Sequence, residues 1–183
     1  PVKYSMKRYF LMAILGVIAI SCIPTKSTST LYSDSYDKEK DLTSVMIFPH
    51  GDVKIPGNWT KTSYNNSSRQ HFFKDADSTT FAVAINPWNK YEFYRQEMTA
   101  NQFVKAFYEW DSIYWQQQTN GEVELLKEDL EGNYIVWHLK KEPNIDGYFL
   151  YGLKRQTVFN LYVTSTKLSE SKIVELLEQT YGD

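Results

Sequence analysis

The amino-acid sequence predicts an α+β domain over residues 44–183, with two main helices packed on an antiparallel sheet of about six to seven strands. Three observations carry this. Four strand-like runs, EVELLKED (122–129), NYIVWHLKK (133–141), GYFLYGLKR (147–155) and TVFNLYVTS (157–165), follow one another with brief breaks at Glu131-Gly132, Pro143 to Gly147 and Arg155-Gln156. Consecutive strands joined so briefly form an antiparallel meander. Before them, Thr99 to Thr119 carries apolar residues at helical spacing, and after them Lys167 to Tyr181 does so again.

Taken in chain order, SVMIF (44–48) and DVKIP (52–56) read as short strands interrupted by Pro49 and Gly51. WTKTSYN (59–65) and RQHFFKD (69–75) read as strands joined at Asn66-Ser67-Ser68. TTFAVAI (79–85) follows the turn-forming Asp75-Ala76-Asp77-Ser78 and places Phe81, Val83 and Ile85 on one face, with small Ala82 and Ala84 on the other. In the long helix Thr99 and Gln102 form a capping-box pattern. Phe103, Phe107, Trp110 and Tyr114 recur at helical spacing, Val104, Tyr108 and Trp115 widen that face, and Asn120-Gly121 ends it. In the last helix Ser169 is the expected cap, Leu168 the staple to Ile173, and Leu176 and Leu177 the core contacts.

This order of elements, with KIPGNW (Lys54 to Trp59) leading into the second strand unit, resembles the PsbP-like α/β sandwich. The resemblance covers residues 44–183. It implies a layered domain that binds other proteins and is not an enzyme. No functional residue of that family maps onto this chain, and the calcium and manganese roles of plant members find no matching ligand cluster here.

The N-terminal segment carries the targeting information. Lys7 and Arg8 precede Tyr9 to Ile20, an uncharged and mainly apolar run of 12 residues that follows a plausible start at Met6. A helix needs about 20 such residues to span a bilayer core, so the run reads as a signal-peptide h-region. Ala19-Ile20-Ser21 before Cys22 resembles a bacterial lipobox of the relaxed Bacteroidetes kind. That resemblance implies a signal peptide over 1–21, removed before Cys22, and a lipoprotein whose acylated (palmitate-bearing) Cys22 holds it to the membrane. A plain secretory peptide cut elsewhere and an uncleaved anchor are the alternatives. Residues 22–43 read as the acylated cysteine and a flexible tether, because Ile23 to Asp41 is rich in Ser, Thr, Lys and Asp. The first acid after Cys22 is Asp34. Surface-exported lipoproteins of that type carry acids immediately after the cysteine, so the expected location is the cell envelope, on the outer membrane facing the periplasm.

Removing residues 1–21 takes away Lys3, Lys7 and Arg8 and leaves 17 Lys+Arg against 22 Asp+Glu, a net charge of −5. With that balance and no basic run, nucleic acid is not an expected partner. A single cysteine allows no internal disulfide, so aromatic packing must hold the fold. His50, His71 and His138 lie in no metal-binding spacing, and no nucleophile elbow, phosphate loop or dinucleotide fingerprint occurs. No catalytic residue, metal or cofactor is therefore assigned. Glu122/Glu124 and Glu128/Asp129 read as solvated strand edges.

Two local candidates remain. Asp77-Ser78-Thr79 resembles the three-residue O-glycosylation acceptor of Bacteroidetes and offers Ser78 in a turn; the similar Asp111-Ser112-Ile113 falls inside the predicted helix. Asn86 to Glu97 is a long connection bearing Trp88, Tyr91, Phe93, Tyr94 and Arg95, residue types that anchor partners when displayed on loops. The functional expectation is a lipid-anchored protein-binding or assembly module with an envelope protein as partner. The alternative is a glycan-binding or glycan-processing factor using loop 86–97.

Overall fold

A computed structural model describes residues 30–182. Ten strands and two α-helices follow in the order β1 (Leu31–Asp37), β2 (Leu42–Phe48), β3 (Gly51–Pro56), β4 (Thr60–Asn65), β5 (Gln70–Lys74), β6 (Thr80–Pro87), α1 (Ala100–Thr119), β7 (Glu122–Asp129), β8 (Tyr134–Lys141), β9 (Ile145–Lys154), β10 (Thr157–Thr164) and α2 (Glu170–Gly182). The first three strands form one sheet. The other seven form a second in the order β4-β5-β6-β10-β9-β8-β7. Every pairing is antiparallel, as expected of the β7–β10 meander.

The layers follow from which side chains each face offers. Phe81, Val83 and Ile85 of β6 join Leu161 and Val163 of β10 in a core closed by Val45, Val53 and Ile55 of the small sheet and by Ile173, Leu177 and Tyr181 of α2. The opposite face carries Trp137, Phe149 and Tyr151, which pack under Phe103, Val104 and Phe107 of α1. Helix α1 meets β7, β8 and β9, and α2 meets β3, β9 and β10. The α+β class is as predicted.

The start of the domain is corrected. The stretch expected to be tether up to residue 43 is β-structure from Leu31 onwards, and β1 pairs with β2 from Leu31↔Phe48 to Asp37↔Leu42. It reads as polar because it is an edge strand exposed at most positions. What fixes it lies far away in sequence. Tyr32 stacks on His71 of β5 with ring centroids 4.2 Å apart, and the Lys61 ammonium lies 3.4 Å from the centre of the Tyr32 ring. The signal segment, Cys22 and residues 23–29 of the tether lie outside the described residues.

The KIPGNW stretch is locked by its own polar groups. Thr43 Oγ1 donates to the Gly57 carbonyl (2.7 Å) and accepts from Trp59 N–H (3.0 Å), while Trp59 Nε1 donates to the Pro56 carbonyl (2.7 Å). Gly57 sits at φ 93°, where a side chain would be strained.

Helix α1 starts and stops as its sequence dictates. Gln102 N–H donates to Thr99 Oγ1 (3.3 Å) and Thr99 N–H donates to Gln102 Oε1 (2.8 Å), completing the capping box. Asn120, left-handed at φ 52°, ends it. Thr99→Ala should cost about 1 kcal/mol, read as a lower urea midpoint with an unchanged m-value. In α2 Ser169 holds the expected N-cap position, its carbonyl accepting from Ile173 N–H (3.0 Å), but its hydroxyl pairs with Ser171 Oγ (3.1 Å) instead of a backbone N–H, and Leu168 is exposed. Ile173 and Leu177 are buried as expected, and Leu176 is half-buried.

His71 is 6% exposed and lies between the rings of Tyr32 and Tyr64. Burial pushes its pKa down to about 4; Lys61 adds to the effect and Asp34 opposes it. The unfolded chain therefore takes up a proton that the native state resists. Stability is fully present above the ordinary value of 6.5 and is lost as pH falls from there through about 4. After allowance for solvent screening the expected loss is about 1–2 kcal/mol. The difference in unfolding free energy between wild type and His71→Phe, which keeps the ring stack, should shrink or invert across that window. A constant difference from pH 7 to pH 4 would contradict it.

Candidate functional site

The five loop residues expected to be displayed are brought together, but as a cover for the start of α1. Tyr91 lies with its ring 4.7 Å from Phe107, Phe93 5.2 Å from Phe103, and Trp88 5.0 Å from Tyr94 and 5.9 Å from Phe103. All four rings are half-buried. Burial raises the Tyr91 phenol above its ordinary range. Arg95 spends its guanidinium on the loop's own backbone, donating from Nη1 to the carbonyls of Tyr94 (2.8 Å) and Glu92 (3.0 Å). The rings satisfy the helix rather than solvent, because Phe103 and Phe107 otherwise lack an apolar lid on that side.

The concave surface lies elsewhere. Helix α1 covers only the β7–β9 half of its sheet face. Over β5, β6 and β10 that face offers polar Gln70 and Asn160 and small Ala82 and Ala84, with only the rings of Phe72 and Tyr162 between them, a mixed surface that a helix's apolar stripe does not match. The result is a cleft of about 680 Å³ between the helix and the uncovered half of the sheet. Trp110, Asp111, Tyr114 and Trp115 form its wall; Phe72, Asn160 and Tyr162 line its sheet side; Asn144 to Gly147 border it. Trp110 is 41% and Tyr114 50% exposed. The two rings that helical spacing assigns to the core therefore stand at an open edge. Trp110 is held there by Nε1 donating to Glu92 Oε1 (2.5 Å).

The cleft also contains polar chemistry. Gln70 Nε2 donates to Asn160 Oδ1 (3.3 Å). Asp111 accepts a hydrogen bond from the Tyr151 hydroxyl. Burial raises the Asp111 pKa despite the bonds from Tyr151 and Trp115. Tyr151, fully buried, is raised well above its ordinary value by burial and by the Asp111 charge beside it. Its ring stacks on Phe107 at 3.9 Å. Asp111 is thus a fixed hydrogen-bonding group in an aromatic wall. A ligand with apolar faces and scattered polar groups would be met by both kinds of contact.

Of the other sequence candidates, Ser78 is apart from this cleft and His138 touches its border through Asp146. Ser78 is exposed in the turn built on Asp75, whose Oδ1 accepts from Asp77 N–H (2.9 Å) and Thr79 N–H (2.8 Å). His138 stacks on Tyr148 at 4.0 Å, with Nε2 2.7 Å from Asp146 Oδ1. His50 and His71 lie at a second cavity, lined also by Arg69 and Lys90. Among the described residues no group of three or more His, Cys, Asp and Glu side chains is placed to hold a metal ion, and no helix is long and apolar enough to cross a membrane.

The class this defines is a layered α+β domain with an aromatic-walled cleft beside its long helix. No family model matches the chain, and no curated protein matches it. Among solved structures it is similar to the solution structure of cyanobacterial PsbP (CyanoP) from Synechocystis sp. PCC 6803, with a TM-score of 0.46 and 10% identity over 86% of this chain and 93% of that one.

Proposed function

We propose that this protein is a binding module of the cell envelope, anchored to the membrane through acylated Cys22, that receives a segment of a partner protein in the α1 cleft. The observation that carries the reading is the pair of exposed rings, Trp110 and Tyr114, at the open edge of a concave, aromatic-walled surface. Aromatic side chains at a pocket are the usual anchors of a protein interface. The neighbouring Ile113, 53% exposed on the same helix, widens the apolar patch. The anchor rests on the order of basic residues, short apolar run and Cys22 in the sequence.

A photoreactive phenylalanine at Tyr114, introduced in living cells, tests the cleft. A discrete adduct that resists glycosidase and yields to protease supports the reading, and its absence overturns it. Trp110→Ala with Tyr114→Ala should weaken partner capture at least tenfold, about 1.4 kcal/mol or more. Because both rings are half-open, Tm should move by no more than a few degrees. For the anchor, Cys22→Ala should release the protein from the membrane fraction or leave it unprocessed; retention at the original mature size would rule the lipoprotein reading out.

A second reading is favoured by the Gln70–Asn160 amide pair and the Asp111 carboxyl beside the rings. Amides and carboxyls with flat rings also suit a saccharide, whose hydroxyls hydrogen-bond while its C–H faces stack. A cross-linked adduct removed by glycosidase would favour it.

A further inference from the structure

We propose that a second cavity, lined by His50, Arg69, His71 and Lys90, is a binding site for a phosphate group, supplied by either an anionic lipid headgroup or a phosphorylated solute. The inference is independent of what occupies the α1 cleft.

The cavity holds about 400 Å³, lies between the small sheet and the β4–β6 edge of the large one, and no carboxylate lines it. In a chain with a net negative charge this is a local reversal of sign. Arg69 and Lys90 form no ion pair among the described residues. The Arg69 guanidinium is instead steadied by Asn86, whose Oδ1 accepts from Nη1 at 3.5 Å and which is itself 7% exposed. The Asp34 charge reaches His71 but does not line the hollow, and the like charges of Arg69 and Lys90 that do line it repel one another unless an anion joins them.

Two further observations point to a ligand. His71 lines the cavity and is more than nine-tenths buried, and its Nδ1 has no hydrogen-bond partner among the described residues. A buried polar nitrogen left unpaired costs about 1–3 kcal/mol, and a ligand that turned the His71 ring so that this nitrogen met an oxyanion would remove that cost. His50, half-buried in the same lining, feels the same field: its pKa is lowered by burial first, then by the charges of Arg69 and Lys90. Both imidazoles are thus held neutral near pH 7, and each can donate one N–H without adding charge.

The donor set decides the class of anion. A planar guanidinium, an ammonium and two imidazoles line one cavity, and that number of N–H donors suits a phosphate with three or four acceptor oxygens better than a carboxylate with two. Thr30, the first described residue, also lines the cavity. Cys22 lies eight residues before it, a reach of at most about 28 Å, so the lipid source, which rests on the anchor proposed above, would have headgroups within range.

The test uses the full chain in a phosphate-free neutral detergent. The ring-proton NMR signals of His50 and His71 are followed during titration with inorganic phosphate and, separately, with a short-chain phosphatidylglycerol. Saturable shifts of both histidines, with an upward move of the His50 titration midpoint, are expected. Arg69→Asn with Lys90→Ala should weaken binding at least tenfold; Asn tolerates the left-handed backbone at position 69 (φ 56°). Lys54→Ala with Lys74→Ala, which removes the same charge from exposed positions elsewhere, should leave binding unchanged. Tighter binding of the phosphatidylglycerol assigns the lipid as the source, and tighter binding of inorganic phosphate assigns the solute. No saturable shift with either probe, or equal weakening in the two double variants, would overturn the proposal.

Discussion

Phe107→Ala is expected to remove about 3–5 kcal/mol of stability, a large share of the roughly 5–15 kcal/mol available to a domain of this size. Phe107 is 1% exposed and lies at the centre of the face that α1 turns to the sheet. Its ring stacks on Tyr151 at 3.9 Å and an interplanar angle of 7°, and meets Tyr91 at 4.7 Å and Phe93 at 5.7 Å. Deleting it opens a cavity between helix, sheet and loop at once. Neighbouring rings already packed on one another cannot collapse into that space, so the cost belongs at the upper end of the range for buried aromatics. The same change reaches the cleft. Tyr151 donates to Asp111, so a Tyr151 ring released from its stack no longer fixes the carboxyl in the wall. Urea unfolding should show the lower midpoint, and hydrogen exchange should show faster opening of residues 88–98 than of β6 or β10. A loss below about 1.5 kcal/mol, or protection lost evenly throughout, would count against this account of the loop as a lid.

The contrast between Phe107 and Trp110 explains how far the sequence could be read. Both lie on one apolar stripe, and periodicity gives them equal claim to the core. Which one is covered depends on how many strands α1 spans, and that depends on β10 lying beside β6, a pairing between segments 70 or more residues apart. The local signal was already present in Ala82 and Ala84, small residues on one face of a buried strand, but their meaning needed the sheet order. Features whose causes are local were legible: the Thr99–Gln102 box, the Asn120 stop, and the meander with its short turns. Strand β1 was not, since its partners Ile47, His71 and Lys61 come from elsewhere in the chain while its own composition is polar. The rings of Trp88, Tyr91 and Phe93 were legible as a group, but not the direction they face, because Phe103 and Phe107 decide it.

Gly152→Ala should destabilise the protein by about 3 kcal/mol, although residue propensity alone predicts the opposite sign. Glycine weakens a strand interior, so an alanine in the middle of β9 should by that reasoning help. Gly152 faces the last turn of α2, however. A Cβ there would lie 2.3 Å from Cε2 and 2.5 Å from Cζ of Tyr181. The ring cannot swing aside cheaply. Tyr181 is 4% exposed, and its hydroxyl donates to the Gly132 carbonyl (2.9 Å). Phe159 and Tyr134 flank its ring at 5.6 and 5.3 Å, and the Lys154 ammonium lies 4.5 Å from its centre. Either α2 lifts from the sheet or the strand bows, and both separate surfaces that keep Ile173 and Leu177 dry. The double variant with Tyr181→Ala isolates the cause, because removing the ring removes the clash. Its cost should fall short of the sum of the single costs by about 2 kcal/mol. A Gly152→Ala protein within about 0.5 kcal/mol of wild type, or strictly additive costs in the cycle, would show that this contact does not hold α2 to the sheet.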